Sequence, residues 1–349
     1  MTVNPSIQGK EGILMAVDFP QRVIHGGTGK RQREKTSKNV LDFSASVNPF
    51  PPKVTWHCDP ASLSGYPDDT YSGLKERIGE VFCRDPQEIC VGNGSIEIIR
   101  VFSAVTLGRG AGTRHFFIDP PTFGEYELSA RLAGAERTLN PDAADVRFVC
   151  NPNNPTGTLL HRTGLLHTLM TARQQGGVLF CDEAFIGLAD PEESLADIRD
   201  PHLFVLHSLT KSFSVPGLRI GFGFGDPDLV EKIEIARSPW CVNAYAEAFA
   251  MEALLHLGDL ADSRRAIAQE RNHLICGISD LGLTSYPSSV NFLLVEYGRE
   301  VASLCSALAQ KNILVRDCTS FGLPTCFRIA VRTREENTQL VEALGSCMR

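Results

Sequence analysis

Lys211 ends the segment Ser208-Leu209-Thr210-Lys211, just after the apolar run 203–206, and Arg219 opens the next apolar run eight residues later. A lone lysine is usually a solvated surface residue, but this one follows an apolar strand and precedes the arginine that opens the next. Upstream, Val178-Leu179-Phe180-Cys181-Asp182-Glu183 carries an acid to the end of another apolar run. Open α/β sheets bind ligands at that edge, and an acid there can hold Mg²⁺ or a protonated pyridinium nitrogen. A third segment, Asn151-Pro152-Asn153-Asn154-Pro155-Thr156-Gly157, fixes its backbone with two prolines and so presents Asn154 rigidly. The fourth, Val91-Gly92-Asn93-Gly94-Ser95-Ile96-Glu97, is a glycine turn into a helix, whose exposed N–H groups favour a phosphate.

Each segment also has a rival meaning. Glu97 stands where a dinucleotide-binding G-x-G-x-x-G would need its third glycine. Gly29-Lys30 is followed by Arg31 and lacks the earlier glycine of a P-loop, which removes the nucleotide-hydrolase reading of Asp182. Ser208 to Lys211 spells the S-x-x-K of penicillin-binding enzymes, but the companion S-D-N and K-T-G motifs do not occur.

Positioning these residues requires a sheet. Short β-prone runs at 89–91, 114–118, 146–150, 178–181, 203–206 and 220–224 alternate with helical stretches such as 96–107, and Leu165, Leu166, Leu169 and Ala172 fall at helical spacing. That alternation predicts an α/β fold with a mostly parallel sheet covered on both faces. Beyond Asp226-Pro227 the pattern turns helical to about 281, and runs at 290–295 and 327–331 then alternate with helices ending near 344, predicting a smaller C-terminal α/β domain. The expected division is an arm over 1–38, a large domain over 39–235 whose residues 39–60 contribute to the small domain or arm, and linking helices plus small domain over 236–349.

Composition narrows the class. The chain has 349 residues, enough for two cores, and 43% hydrophobic residues with 21% charged ones is the balance of a globular protein. A net charge of −7 argues against a nucleic-acid or anionic-membrane surface, although residues 30–38 are locally basic. The eleven cysteines are odd in number and form no C-x-x-C pair, so neither a disulfide framework nor a zinc site is expected. The apolar run 12–17 is too short for a membrane span, and the chain reads as cytoplasmic.

In their order and spacing, the four segments resemble fold-type I pyridoxal-phosphate enzymes, in particular the histidinol-phosphate aminotransferase branch, along nearly the whole chain. The resemblance implies pyridoxal 5′-phosphate held as a Schiff base by Lys211, with Asp182 at the pyridinium nitrogen and Asn154 at the ring hydroxyl. Phe123, in Pro121-Thr122-Phe123-Gly124, matches the aromatic that stacks on the ring. Gly94, Ser95, Ile96, Ser208 and Arg219 match the phosphate cradle. Two positions depart from the pattern: Ile96, often a hydroxyl or acid, and Phe185, often a tyrosine. Gly65-Tyr66-Pro67-Asp68 resembles the segment whose Tyr66 reaches the cofactor phosphate of a second subunit, implying a homodimer with shared sites.

Three segments lean towards the threonine-phosphate decarboxylases of cobalamin synthesis within that branch. They are His25-Gly26-Gly27 with Asp42-Phe43-Ser44-Ala45-Ser46-Val47-Asn48-Pro49, then Asp182-Glu183-Ala184-Phe185, and Phe327-Arg328-Ile329-Ala330-Val331-Arg332-Thr333. The resemblance implies Arg328 as the carboxylate-binding cation and adds His25, Gly26, Asn48, Asn154 and Arg332 as substrate contacts. Period two in a strand puts Arg328 and Arg332 on one face, a pair suited to a doubly anionic substrate. The resulting expectation is decarboxylation of O-phospho-L-threonine to 1-aminopropan-2-ol phosphate. The alternatives are an aminotransferase acting on histidinol phosphate or a related amino acid and, more remotely, a non-catalytic regulatory module.

Overall fold

The computed structural model describes residues 19–27, 39–108, 110 and 112–348. The apolar run 12–17 and the basic stretch 30–38 lie outside the described residues. In chain order the strands are β1 (Leu41–Asp42), β2 (Ile89–Gly92), β3 (His115–Ile118), β4 (Glu136–Arg137), β5 (Val146–Cys150), β6 (Val178–Asp182), β7 (Leu203–Ser208), β8 (Gly221–Phe224), β9 (Thr284–Ser285), β10 (Phe292–Glu296), β11 (Ile313–Leu314), β12 (Arg316–Asp317) and β13 (Cys326–Ala330).

Seven of these form one sheet in the order β2-β8-β7-β6-β5-β3-β4. All neighbours pair parallel except β8, which runs antiparallel to both β2 and β7. The expected strands therefore occur within a residue or two of their predicted limits, and the expected mostly parallel sheet is present. The central strands are mostly apolar because both sheet faces are covered. In β6 and β7, Leu179, Cys181, Leu203 and Val205 enter one core, whereas Phe180, Phe204 and Leu206 enter the opposite one. The second core is built from rings: Phe180 stacks on Phe204 at 5.3 Å, and Phe102 packs edge-on against Phe180 at 4.6 Å. Such pairs add to area burial through ring quadrupoles.

A four-stranded antiparallel sheet, β12-β13-β10-β9, follows in the C-terminal part. Its apolar face joins Leu293, Val295, Phe327 and Ile329 to Leu274, Leu340 and Leu344 of the helices Leu260–Asp280 and Arg334–Met348. Phe43 enters the same core, and β1 pairs parallel with β11, so residues just after the arm pack with the C-terminal elements. Among the described residues no helix is long and apolar enough to cross a membrane.

Candidate active site

Lys211 follows β7, whose six residues are all buried. Ser208 caps the short helix Leu209–Ser212 by accepting from the Thr210 N–H, which turns the chain so that Lys211 leaves the sheet edge. Its Nζ lies 5.9 Å from the Phe185 ring centroid. Burial, together with the nearby guanidinium groups of Arg328 and Arg219, pushes the amine down to about 8, while Asp182 opposes the shift.

Asp182 sits at the end of β6, nearly fully buried, and accepts from the Tyr126 hydroxyl at 2.7 Å and the Ala184 N–H at 2.9 Å. Burial raises its pKa, and these two donors partly offset that effect. Tyr126 escaped the sequence reading because its link to Asp182 spans 56 residues. It is fully buried, stacks on Phe148 at 5.4 Å and meets Phe123 edge-on at 5.5 Å, so ring face and acid are held by one aromatic unit.

The residues expected to cradle a phosphate come from two distant turns. Gly94 has φ +74°, a conformation that favours glycine, and the Arg219 guanidinium lies close beside the turn. Ser95 and Ile96 then begin the helix Ser95–Leu107, whose first-turn N–H groups have no partner within the helix. Ser208 Oγ lies 2.8 Å from Thr210 Oγ1, and Arg219 is half-buried. A guanidinium, hydroxyls and helix N–H groups in one place make an anion site.

On the opposite side, Arg328 of β13 is buried and donates to Asn154 Oδ1 and to the Ser44 carbonyl, 3.0 Å away. Its Nε is buried and has no hydrogen-bond partner among the described residues. Directly across the strand pair lies Arg316 of β12, also buried. Arg316 donates to the Ile24 carbonyl at 2.7 Å and to Ser320 Oγ at 2.6 Å. Among the described residues neither arginine forms an ion pair with an acid. Burial and its neighbour Arg316 push Arg328 down to about 10, with Cys318 opposing.

Two of the expected substrate contacts are placed differently. Arg332 falls beyond β13, which ends at Ala330, and its guanidinium is ion-paired with Glu336 at 2.7 Å while reaching the Asp42 carbonyl at 3.3 Å. Its charge is already answered within the protein, unlike that of Arg316. Asn48 is almost fully buried: its amide donates to the Ser212 carbonyl at 2.7 Å and to Ser263 Oγ at 3.0 Å, and its oxygen accepts from the Phe50 N–H. Its backbone N–H also donates to the Lys211 carbonyl. Asn48 thus braces the lysine turn from behind.

Of the remaining expected residues, Phe123 is half-buried beside His25, with ring centroids 5.9 Å apart, and Gly26 packs against the Ser44 carbonyl. Tyr66 is 83% exposed and stacks on Trp240 at 4.4 Å. Phe185, standing where the resemblance leads one to expect tyrosine, packs edge-on against Phe292 and offers no hydroxyl.

A sheet edge carrying a buried amine, a buried acid and an anion cradle, faced by unneutralised arginines, has the donor set of a pyridoxal-phosphate enzyme. The comparisons with known proteins agree with this class. The model of the family "Aminotransferase class I and II" matches residues 39–344. A histidinol-phosphate aminotransferase of Symbiobacterium thermophilum is 30% identical over 339 residues, covering 91% of this chain and 93% of the relative. A "Putative threonine-phosphate decarboxylase" of Caldanaerobacter subterraneus is 32% identical over 341 residues, covering 88% and 92%. The solved histidinol-phosphate aminotransferase of Sinorhizobium meliloti in complex with pyridoxal-5′-phosphate superposes with a TM-score of 0.81 at 18% identity, over 98% of this chain and 99% of that one. The chain belongs to the class I and II aminotransferase family, whose members depend on pyridoxal phosphate.

The residues present fit that cofactor. Lys211 would hold it covalently, Asp182 would face its ring nitrogen, Phe123 its ring face, and Gly94 to Ile96 with Ser208 and Arg219 its phosphate. When bound, pyridoxal phosphate supplies an electron-withdrawing ring that stabilises negative charge developing on the substrate carbon bearing the amine.

Proposed function

We propose that this enzyme removes the carboxyl group of O-phospho-L-threonine, giving 1-aminopropan-2-ol phosphate and CO₂, a step of cobalamin synthesis. The observation that supports this reading is the facing pair Arg316 and Arg328, two buried cations with no acidic partner among the described residues. Buried charges are costly unless paired, so the site is made for anions. Phosphothreonine presents a carboxylate and a phosphate together, whereas an aminotransferase acting on histidinol phosphate meets a carboxylate only in its other half-reaction, with 2-oxoglutarate. In this reading Arg328 would bind and orient the substrate carboxylate, and bound pyridoxal phosphate would supply the electron-withdrawing group that favours loss of CO₂. The electron pair of the broken bond stays on the amine-bearing carbon, and Lys211 Nζ returns one proton there. The relative named as a threonine-phosphate decarboxylase supports the reading, and the one named as a histidinol-phosphate aminotransferase supplies its competitor.

The deciding measurement offers one preparation phosphothreonine alone and, separately, histidinol phosphate with 2-oxoglutarate. CO₂ from the first, without an acceptor, is expected. Glutamate from the second with no CO₂ from the first would make the protein an aminotransferase. Arg316→Ala is expected to weaken phosphothreonine use about 10-fold or more, the effect of one lost charge-assisted contact. Arg332→Ala, already paired with Glu336, should weaken it less, and the reverse order would return the second anchor to Arg332.

The reading includes a homodimer in which Tyr66 reaches the partner's cofactor phosphate. The support is the Gly65 to Asp68 resemblance together with an exposed, stacked aromatic pair, Tyr66 on Trp240. Sedimentation is expected to show a dimer at assay concentration, with Tyr66→Ala weakening cofactor retention. A fully active monomer would exclude it.

A further inference from the structure

One buried carboxylate near the site has no role in the chemistry described so far. Glu125 opens the helix Glu125–Leu132, immediately after the turn that carries Phe123, and is only 3% exposed. Both its oxygens are engaged: Oε1 lies 2.8 Å from His25 Nε2, and Oε2 accepts from Arg100 at 2.8 Å. The His25 partner is 100 residues away in sequence, and its ring tilts against Phe123.

His25 belongs to residues 24–27, which are fastened at two further points. The Ile24 carbonyl accepts from Arg316 at 2.7 Å, and the Gly27 N–H donates to Ser44 Oγ at 2.8 Å. Ser44 Oγ in turn donates to Asp42 Oδ1. Between these ties the backbone runs so close to the Ser44 carbonyl that a Cβ at Gly26 would lie 2.2 Å from it. The segment therefore joins the ring-face side of the site, through Glu125, to the arginine side, through Arg316 and Ser44.

We propose that Glu125 is a positioning residue: by holding His25 it fastens residues 24–27 across the site and sets the spacing between the Phe123 turn and the Arg316 and Arg328 anchors. The choice of assay substrate rests on the function proposed above; the fastening itself does not. A carboxylate in the first turn also stabilises its helix, so the test must separate that ordinary effect from positioning.

Hydrogen exchange at residues 24–27 is measured on cofactor-free and cofactor-loaded protein for wild type, Glu125→Gln, His25→Asn, Arg100→Ala and the Glu125→Gln/His25→Asn pair, beside steady-state kinetics. Glu125→Gln and His25→Asn are each expected to speed exchange at the Gly27 amide and to raise KM for phosphothreonine about 10-fold, with kcat changed less than about 3-fold. The double variant should be no worse than His25→Asn alone, because both remove one tie. Arg100→Ala, which removes the other partner and leaves the tie intact, should keep wild-type exchange at 24–27. Unchanged exchange in Glu125→Gln, or KM effects that multiply in the double variant, would overturn the proposal. Should wild type fail to use phosphothreonine, the function proposed above falls, and exchange alone decides the role of Glu125.

Discussion

Lys211→Ala is expected to leave a folded protein without measurable turnover. The residue is the buried amine at the sheet edge, and among the expected cofactor contacts it alone can join the cofactor covalently. Borohydride treatment of wild type followed by peptide mapping should place a pyridoxyl label on the Lys211 peptide, and the variant should carry none. A variant labelled at another lysine and fully active would refute the assignment. The same residue carries a prediction about stability. Its pKa in the fold, about 8, is depressed from an ordinary 10.5, so folding costs free energy wherever the unfolded chain holds the proton. Below about pH 8 that cost is fully present, roughly 3 kcal/mol for a shift of this size. It fades as pH rises towards 10.5. Lys211→Met should therefore stabilise the cofactor-free protein at pH 7, with the advantage vanishing at alkaline pH. Denaturation showing no gain at pH 7 would mean that the amine is better solvated than its surroundings indicate.

Asp182→Asn has the next largest effect. The amide is isosteric and can keep either the Tyr126 or the Ala184 contact, so the pocket and cofactor binding should survive. It cannot supply the negative charge that holds a proton on the ring nitrogen. Removing one preorganised electrostatic contact to a developing charge costs about 10²- to 10³-fold in kcat, and a loss in that range is expected with cofactor affinity reduced much less. Wild-type turnover in this variant would make Asp182 a structural acid that serves only its Tyr126 and Ala184 contacts.

The cofactor half of the site was legible in the sequence because each of its parts is local. A strand, a turn and a helix start lie within a few residues of one another at Gly94, Asn154, Asp182 and Lys211, and a parallel sheet gathers such turns at one edge whatever the strand order. The side-chain period likewise announced two covered faces. The strand order itself, and the antiparallel placement of β8, depend on pairings that no short window contains.

The surroundings of the proposed substrate contacts came from tertiary structure. Period two pointed to Arg328 and Arg332 together, but Arg332 lies beyond the strand, where Glu336 one helical turn onward pairs with it. Arg316 becomes the facing cation only through the β12 and β13 register, and Tyr126 meets Asp182 only because its helix packs on that sheet edge. Asn48, a polar residue in a promising motif, is consumed by the backbone it supports. Residue type and spacing determine which groups can do chemistry, whereas hydrogen bonding and ion pairing across long sequence separations decide which of those groups remain available to do it.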